Sequence, residues 1–307
     1  MEEKKEGLSR RSFLSNTAVG AIGLAAVGFT AGSLVNPREA EAATPSIGTA
    51  DFPLPTVAID VEKVRQYGYY CYKSYSGCGL GSARALLAGI LDAHTRGGTD
   101  PKRWVDVPLN LYAWCNGGGA GGWGTLCGAI AGSAGVLNLM NLHGTHASKV
   151  FEWYTKQNFP LAGLDSYDGS VVFPTAFPAE VAVPRPIPDA EVKGHAVTDS
   201  PLCHISVSKW LAAAHVKLGD TDGGSPARGL KEDRCAKVTG DTAAYTAALL
   251  NETIVNKTNP SAWAKPAAMA GCFDCHDPSG TAGLTKKDAQ TKMDCLPCHT
   301  EPTSGRK

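Results

Sequence analysis

The chain has no surplus charge of either sign. Its 29 Lys and Arg balance 29 Asp and Glu across 307 residues. Removing residues 1–42 takes five of each and leaves 24 of each, so the balance holds for the remainder as well. Without a basic excess there is no electrostatic case for binding nucleic acid or an anionic membrane surface. Beyond the amino-terminal region no run is long and apolar enough to span a bilayer. Nor does any pattern suggest a nucleophile beside its base or an acid–base dyad, so an enzyme working by acid–base or nucleophilic chemistry is not indicated. The last 50 or so residues lack apolar patterning, and a piece that small cannot hold a core with its own side chains.

Cysteine is what the sequence does have, with 10 residues. Four of them form two C-x-x-C pairs near the carboxyl end, CFDCH at 272–276 and CLPCH at 295–299. Nineteen residues separate Cys275 from Cys295, a spacing that also fits a four-thiolate zinc ribbon. Histidine decides between the two readings. It supplies only 8 of 307 residues, yet one follows each pair directly, as the c-haem motif C-x-x-C-H requires. Two thiols two residues apart can add to the two vinyl groups of one porphyrin, and the adjacent imidazole then lies beneath the iron. Two haems c are therefore expected, on Cys272 and Cys275 with His276 as proximal ligand, and on Cys295 and Cys298 with His299. In the zinc alternative both histidines are spectators.

The first 42 residues read as a twin-arginine export signal. SRRSFL at 9–14 precedes a weakly apolar run rich in Gly and Ala, and Ala40-Glu41-Ala42 offers a cleavage site. The alternative is a retained membrane anchor. Cleavage would leave a periplasmic protein without a membrane span. This route carries proteins already folded, whereas haem c is attached after export. A second cofactor, loaded in the cytoplasm, would explain the route better than haem does.

The expected fold class is mainly α: a helical, cysteine-rich redox domain over 43–255 and a small C-terminal dihaem c-type module over 256–307. Apolar periodicity predicts helices near 82–94, 125–142, 147–157, 200–218 and 231–255, the fourth opening with Ser200 as N-cap and Pro201 at its first position. With 35 Gly and 19 Pro, long irregular connections are expected. The Pro-rich stretch 167–199 reads as an extended surface connection, with a short strand conceivable at Val171-Val172-Phe173.

Cys71, Cys78, Cys115, Cys127, Cys203 and Cys235 lie outside the haem motifs. In an oxidising compartment an even number suggests three disulfides. Cys78 and Cys127, however, stand among glycines that allow close approach to a bulky centre. Cys203 and Cys235 fall near the starts of predicted helices, where the dipole favours the thiolate that a metal needs.

The motifs GWGTLCG (122–128), FEWY (151–154), SPLCHISVSKW (200–210) and RCAKV (234–238), together with the two C-x-x-C-H motifs, resemble the split-Soret cytochrome c family. Its amino-terminal region is similar to a wider group of redox proteins with a C…GCA-x-x-G…C…C pattern. The likeness runs over about 70–299. It implies a dimeric dihaem electron carrier whose helical domain can hold an iron–sulfur cluster near the haems, its cysteines here being Cys78, Cys127, Cys203 and Cys235. Cys71 and Cys115 have no counterpart in those motifs, and the GCA element reads Gly77-Cys78-Gly79. A homodimer and a periplasmic redox partner are the partners implied.

Low-spin haem needs a sixth ligand. The chain offers His94, His143, His146, His195, His204 and His215, with Met140, Met269 and Met293. His195 and His143 are the preferred distal candidates, because both fall in loops that can reach a neighbour. His215 follows His204 by eleven residues, about three helical turns, which would place both on one face roughly 16 Å apart. The expected function is electron transfer, not catalysis. The alternative is a multi-cofactor oxidoreductase with an open haem site for a small inorganic substrate.

Overall fold

The computed structural model describes residues 50–75, 77–164, 173, 185–217, 226–261, 263, 267, 292 and 293. All belong to the unit that begins at Gly48. Six α-helices make up most of it: α1 Val61–Tyr75, α2 Cys78–Arg96, α3 Gly128–Leu139, α4 Ser148–Lys156, α5 Cys203–Ala213 and α6 Pro226–Ile254. The strands described, β1 Asn158–Phe159 and β2 Ala196–Val197, are two residues each and pair antiparallel. The mainly α expectation holds.

Helix α2 is the axis of the core, buried continuously from Cys78 to His94. A helix wrapped on all sides loses its polar stripe, and the sequence of α2 is accordingly rich in Ala, Leu and Gly. Small residues set the spacing around it. A Cβ at Gly68 of α1 would come within 2.7 Å of Gly240 Cα on α6, and one at Gly240 within 2.3 Å of Arg65 O. The α3 crossing is as tight, since a Cβ at Gly132 would meet Gly79 O at 2.1 Å. Tyr67, Tyr69, Tyr154, Phe159 and Trp104 fill the remaining interior with large rings.

The five expected helices are present, with shifted ends. Helix α1 was not expected: VEKVRQYGYYCYKSY is rich in Tyr and contains Gly68, residues of modest helix propensity, and packing against α2 and α6 overrides that preference. Ser200 does not cap α5. Its hydroxyl accepts from Leu202 N at 3.2 Å, forming a turn ahead of a helix that starts at Cys203. Helix α6 starts at Pro226, so Cys235 lies well inside it and not in its first turn. His215 lies past the end of α5 with φ 54°, so it shares no helical face with His204.

Of the Pro-rich stretch, 185–199 is described and runs along the surface, with a 3-10 turn at Asp189–Glu191 and strand β2. It is tied to α6 by Lys237, whose Nζ donates to Ile187 O at 2.5 Å and lies 3.5 Å from Asp189 and 3.6 Å from Asp233. Ile187 N donates to the same Asp233, which also accepts from Tyr69 Oη. Phe173 is buried edge-on to Tyr67. The strand conceived around it lies outside the described residues, as do the export signal and both C-x-x-C-H motifs.

Candidate metal centre

Three of the four cysteines in question sit at helix starts. Cys78 is the first residue of α2, Cys203 the first of α5, and Cys127 the N-cap of α3. An antiparallel bridge between Leu126 and Leu202 sets two of them side by side, with Cys127 N donating to Pro201 O at 2.9 Å and Cys203 N to Thr125 O at 2.6 Å. Cys78 is held from the other side. Asn116 Oδ1 accepts from Gly79 N at 2.9 Å and Leu80 N at 3.0 Å, capping α2 from a distant loop. Cys235, half-buried on α6, completes the group. Helix starts carry unpaired N–H groups and a partial positive charge, so three of them together favour anionic sulfur.

The thiols influence one another. The neighbouring Cys78 thiol holds Cys127 well below the usual thiol range, while Cys127 and burial hold Cys78 well above it; Cys78 Sγ itself donates to Cys115 O at 3.9 Å. Burial opposes ionisation of Cys127, while the Tyr154 hydroxyl, the Arg234 charge and the N–H of Ala129 favour it. Cys203 is pushed up to about 12 by burial and by the charges of Cys127 and Cys235. Tyr72 is raised by burial and then by Cys235 and Cys78, which places its phenol against the same group. No disulfide joins any two of the six described cysteines.

Packing leaves the space to sulfur. A Cβ at Gly128 would lie 2.4 Å from both Cys78 Sγ and Cys115 O, and one at Gly119 would lie 3.1 Å from Cys203 Cβ. Gly119 also has φ 75°, which L side chains rarely adopt. Among the described residues, no group of three or more His, Cys, Asp or Glu side chains closes around one point as ligands of a single ion do. The four thiols are close enough to influence one another electrostatically.

Cys115 and Cys71 are placed differently. Cys115 Sγ donates to Tyr112 O at 3.1 Å beneath the start of α2, and burial pushes its thiol up to about 11. Cys71 is buried in α1.

Sequence reasoning missed Arg234, Ser206 and Tyr154, although each lies in a motif it singled out. Arg234 is buried beside Cys235. Its Nη1 donates to Cys235 Sγ at 3.9 Å, and its Nη2 to Ser206 Oγ at 2.5 Å and Ser206 O at 3.3 Å. Tyr154 Oη donates to the same Ser206 Oγ at 2.9 Å.

The distal candidates differ in setting. His195 is exposed and its Nδ1 bonds Pro160 O at 2.7 Å; His143 is exposed in the turn His143–Ala147. His204 is also exposed, its Nδ1 bonded to Gly124 O at 2.7 Å. His94 and His146 are buried with both ring nitrogens bonded: His94 to Thr99 Oγ1 and Pro53 O, His146 to Thr145 Oγ1 and Thr253 Oγ1. Met140 is buried in the core, and Met293 Sδ accepts from Ser200 Oγ at 3.5 Å. Lys292 Nζ donates to Ser148 Oγ at 3.0 Å, so the two residues at 292–293, just ahead of Cys295, lie against the start of α4 and the approach to Cys203. Among the described residues no helix is long and apolar enough to cross a membrane.

No family model matches the chain. It is 27% identical to split-Soret cytochrome c of Desulfovibrio desulfuricans (strain ATCC 27774 / DSM 6949 / MB) over 312 residues, covering 95% of each protein. A solved structure of the split-Soret cytochrome c from Desulfovibrio desulfuricans ATCC 27774, described for a novel iron centre, superposes with a TM-score of 0.57 at 26% identity, covering 82% of this chain and 92% of that one. Likeness of sequence along nearly the whole length, and of fold along most of it, makes this chain a relative of split-Soret cytochrome c.

Proposed function

We propose that the protein is an exported electron carrier with two covalent haems c and an iron–sulfur centre, working in the periplasm as a homodimer. The observation that carries this reading is the meeting of Cys78, Cys127, Cys203 and Cys235, up to 157 residues apart in the chain, at three helix starts beside a buried arginine. Cys272, Cys275 and His276, with Cys295, Cys298 and His299, would hold the haems; the four clustered cysteines would hold the iron–sulfur centre. Bound there, these groups supply one-electron couples.

The residues present fit such a centre. Four thiols are the usual ligand set of an iron–sulfur centre, and glycines at 119 and 128 keep side chains away from Cys203 and Cys78. Arg234 and the helix starts offset thiolate charge. His195 suits a distal ligand, because an Nδ1 bonded to a carbonyl makes Nε2 the basic nitrogen, as is common in metal-bound histidines.

Redox titration of protein purified without oxygen, followed by visible and EPR spectroscopy, tests this reading. Covalent low-spin haem and a separate non-haem iron signal should both titrate. Haem signals alone would remove the iron–sulfur centre, and colour extracted by acid acetone would remove the covalent haems.

A further inference from the structure

Arg234 is 2% exposed. Among the described residues no carboxylate lies within ion-pair distance of it, its Nε has no hydrogen-bond partner, and its other bonds run to Ser206 and Cys235 Sγ. Buried guanidinium groups require anionic partners, because desolvation without one is strongly destabilising. The thiol that touches Arg234 is that of Cys235, and the Cys127 thiol and the neutral Tyr154 hydroxyl lie close by. Its side chain therefore has sulfur where other proteins place a carboxylate. Ser206 joins the parts. One hydroxyl oxygen receives both Arg234 Nη2 and Tyr154 Oη, and Tyr154 and Cys127 are neighbours.

We propose that Arg234 is the positioning residue of the four-cysteine centre: its fixed charge raises the centre's reduction potential, and its bond to Ser206 holds Tyr154 against Cys127. This rests on the reading that the four thiols bind iron. Reduction adds an electron to a centre already made negative by thiolates, and a nearby cation in a water-poor interior favours the reduced state. Neutralising the cation should therefore lower the potential. Lys keeps the charge but loses the forked geometry, whereas Met removes both.

The test compares full-length wild type, Arg234→Lys and Arg234→Met, each purified without oxygen with its haems attached. Non-haem iron and acid-labile sulfide are counted first, and the potentials of the non-haem centre and of the haems are then titrated. The expected result is a lower non-haem potential, or lost non-haem iron, in R234M, with a smaller effect in R234K and haem potentials little changed. Tyr154→Phe should also lower the non-haem potential, by removing the hydroxyl near Cys127. Equal effects in Lys and Met, or no effect in either, overturn the charge role. Wild-type protein lacking non-haem iron overturns the reading beneath it, and this role with it.

Discussion

Cys127 and Cys115 show at the scale of single residues why the cysteine count alone was ambiguous. Both are buried, yet Cys127 meets Cys78, Tyr154 and Arg234, while Cys115 spends its hydrogen on a backbone carbonyl. Composition cannot distinguish those settings; the glycines around Cys127 could be read, and its cationic neighbour 107 residues further on could not. Cys203→Ser should therefore abolish non-haem iron while both haems remain, and Cys115→Ala should leave non-haem iron in place, as iron and haem assays on the same preparations will show. His195→Ala should turn one haem high-spin and reactive with carbon monoxide, an outcome visible in the reduced spectrum.

His94 and His146 carry a pH prediction. Burial holds both below the ordinary value, with the Pro53 carbonyl partly opposing it at His94. The unfolded chain takes up protons near pH 6.5 that the folded chain does not. Their stabilising contribution is thus complete above about pH 6.5 and is lost as pH falls below it. Denaturant midpoints measured from pH 8 to pH 5 should decline, and His146→Gln should flatten the decline.

At the scale of elements, the helices legible in the sequence were those with apolar periodicity, and their ends moved where side chains found other partners. Residues 125–127 continue the apolar period of α3, yet Leu126 forms a bridge to Leu202, and Ser200 forms a turn instead of a cap. Helix α1 was illegible, because its tyrosines and glycine favour a helix only once α2 and α6 enclose them. The crossings make their own prediction. Gly240→Ala drives a Cβ into Arg65 O, a backbone atom that cannot swing away. Overpacking of this kind costs about 1–3 kcal/mol, measurable as a lower denaturant midpoint with the centre intact. Gly128→Ala presses on Cys78 Sγ as well as backbone, so it should lose non-haem iron in addition to stability.

For the whole molecule, a small tail carrying the proposed haems would gain from burying porphyrin faces against a second copy, and a two-fold interface would supply each contact twice. Sedimentation should show a dimer with a split Soret band on reduction; a monomer with two low-spin haems and an unsplit band would refute that arrangement. The proposed export through the twin-arginine route would belong with the same picture, since a folded domain holding iron is cargo that this route accepts. The account stands most directly on one comparison: total iron, pyridine haemochrome and acid-labile sulfide measured together on protein purified without oxygen. It predicts about two haems per chain, iron in clear excess of haem, and sulfide accompanying the excess. Iron equal to haem, with Cys78, Cys127, Cys203 and Cys235 recovered as disulfides, would contradict it.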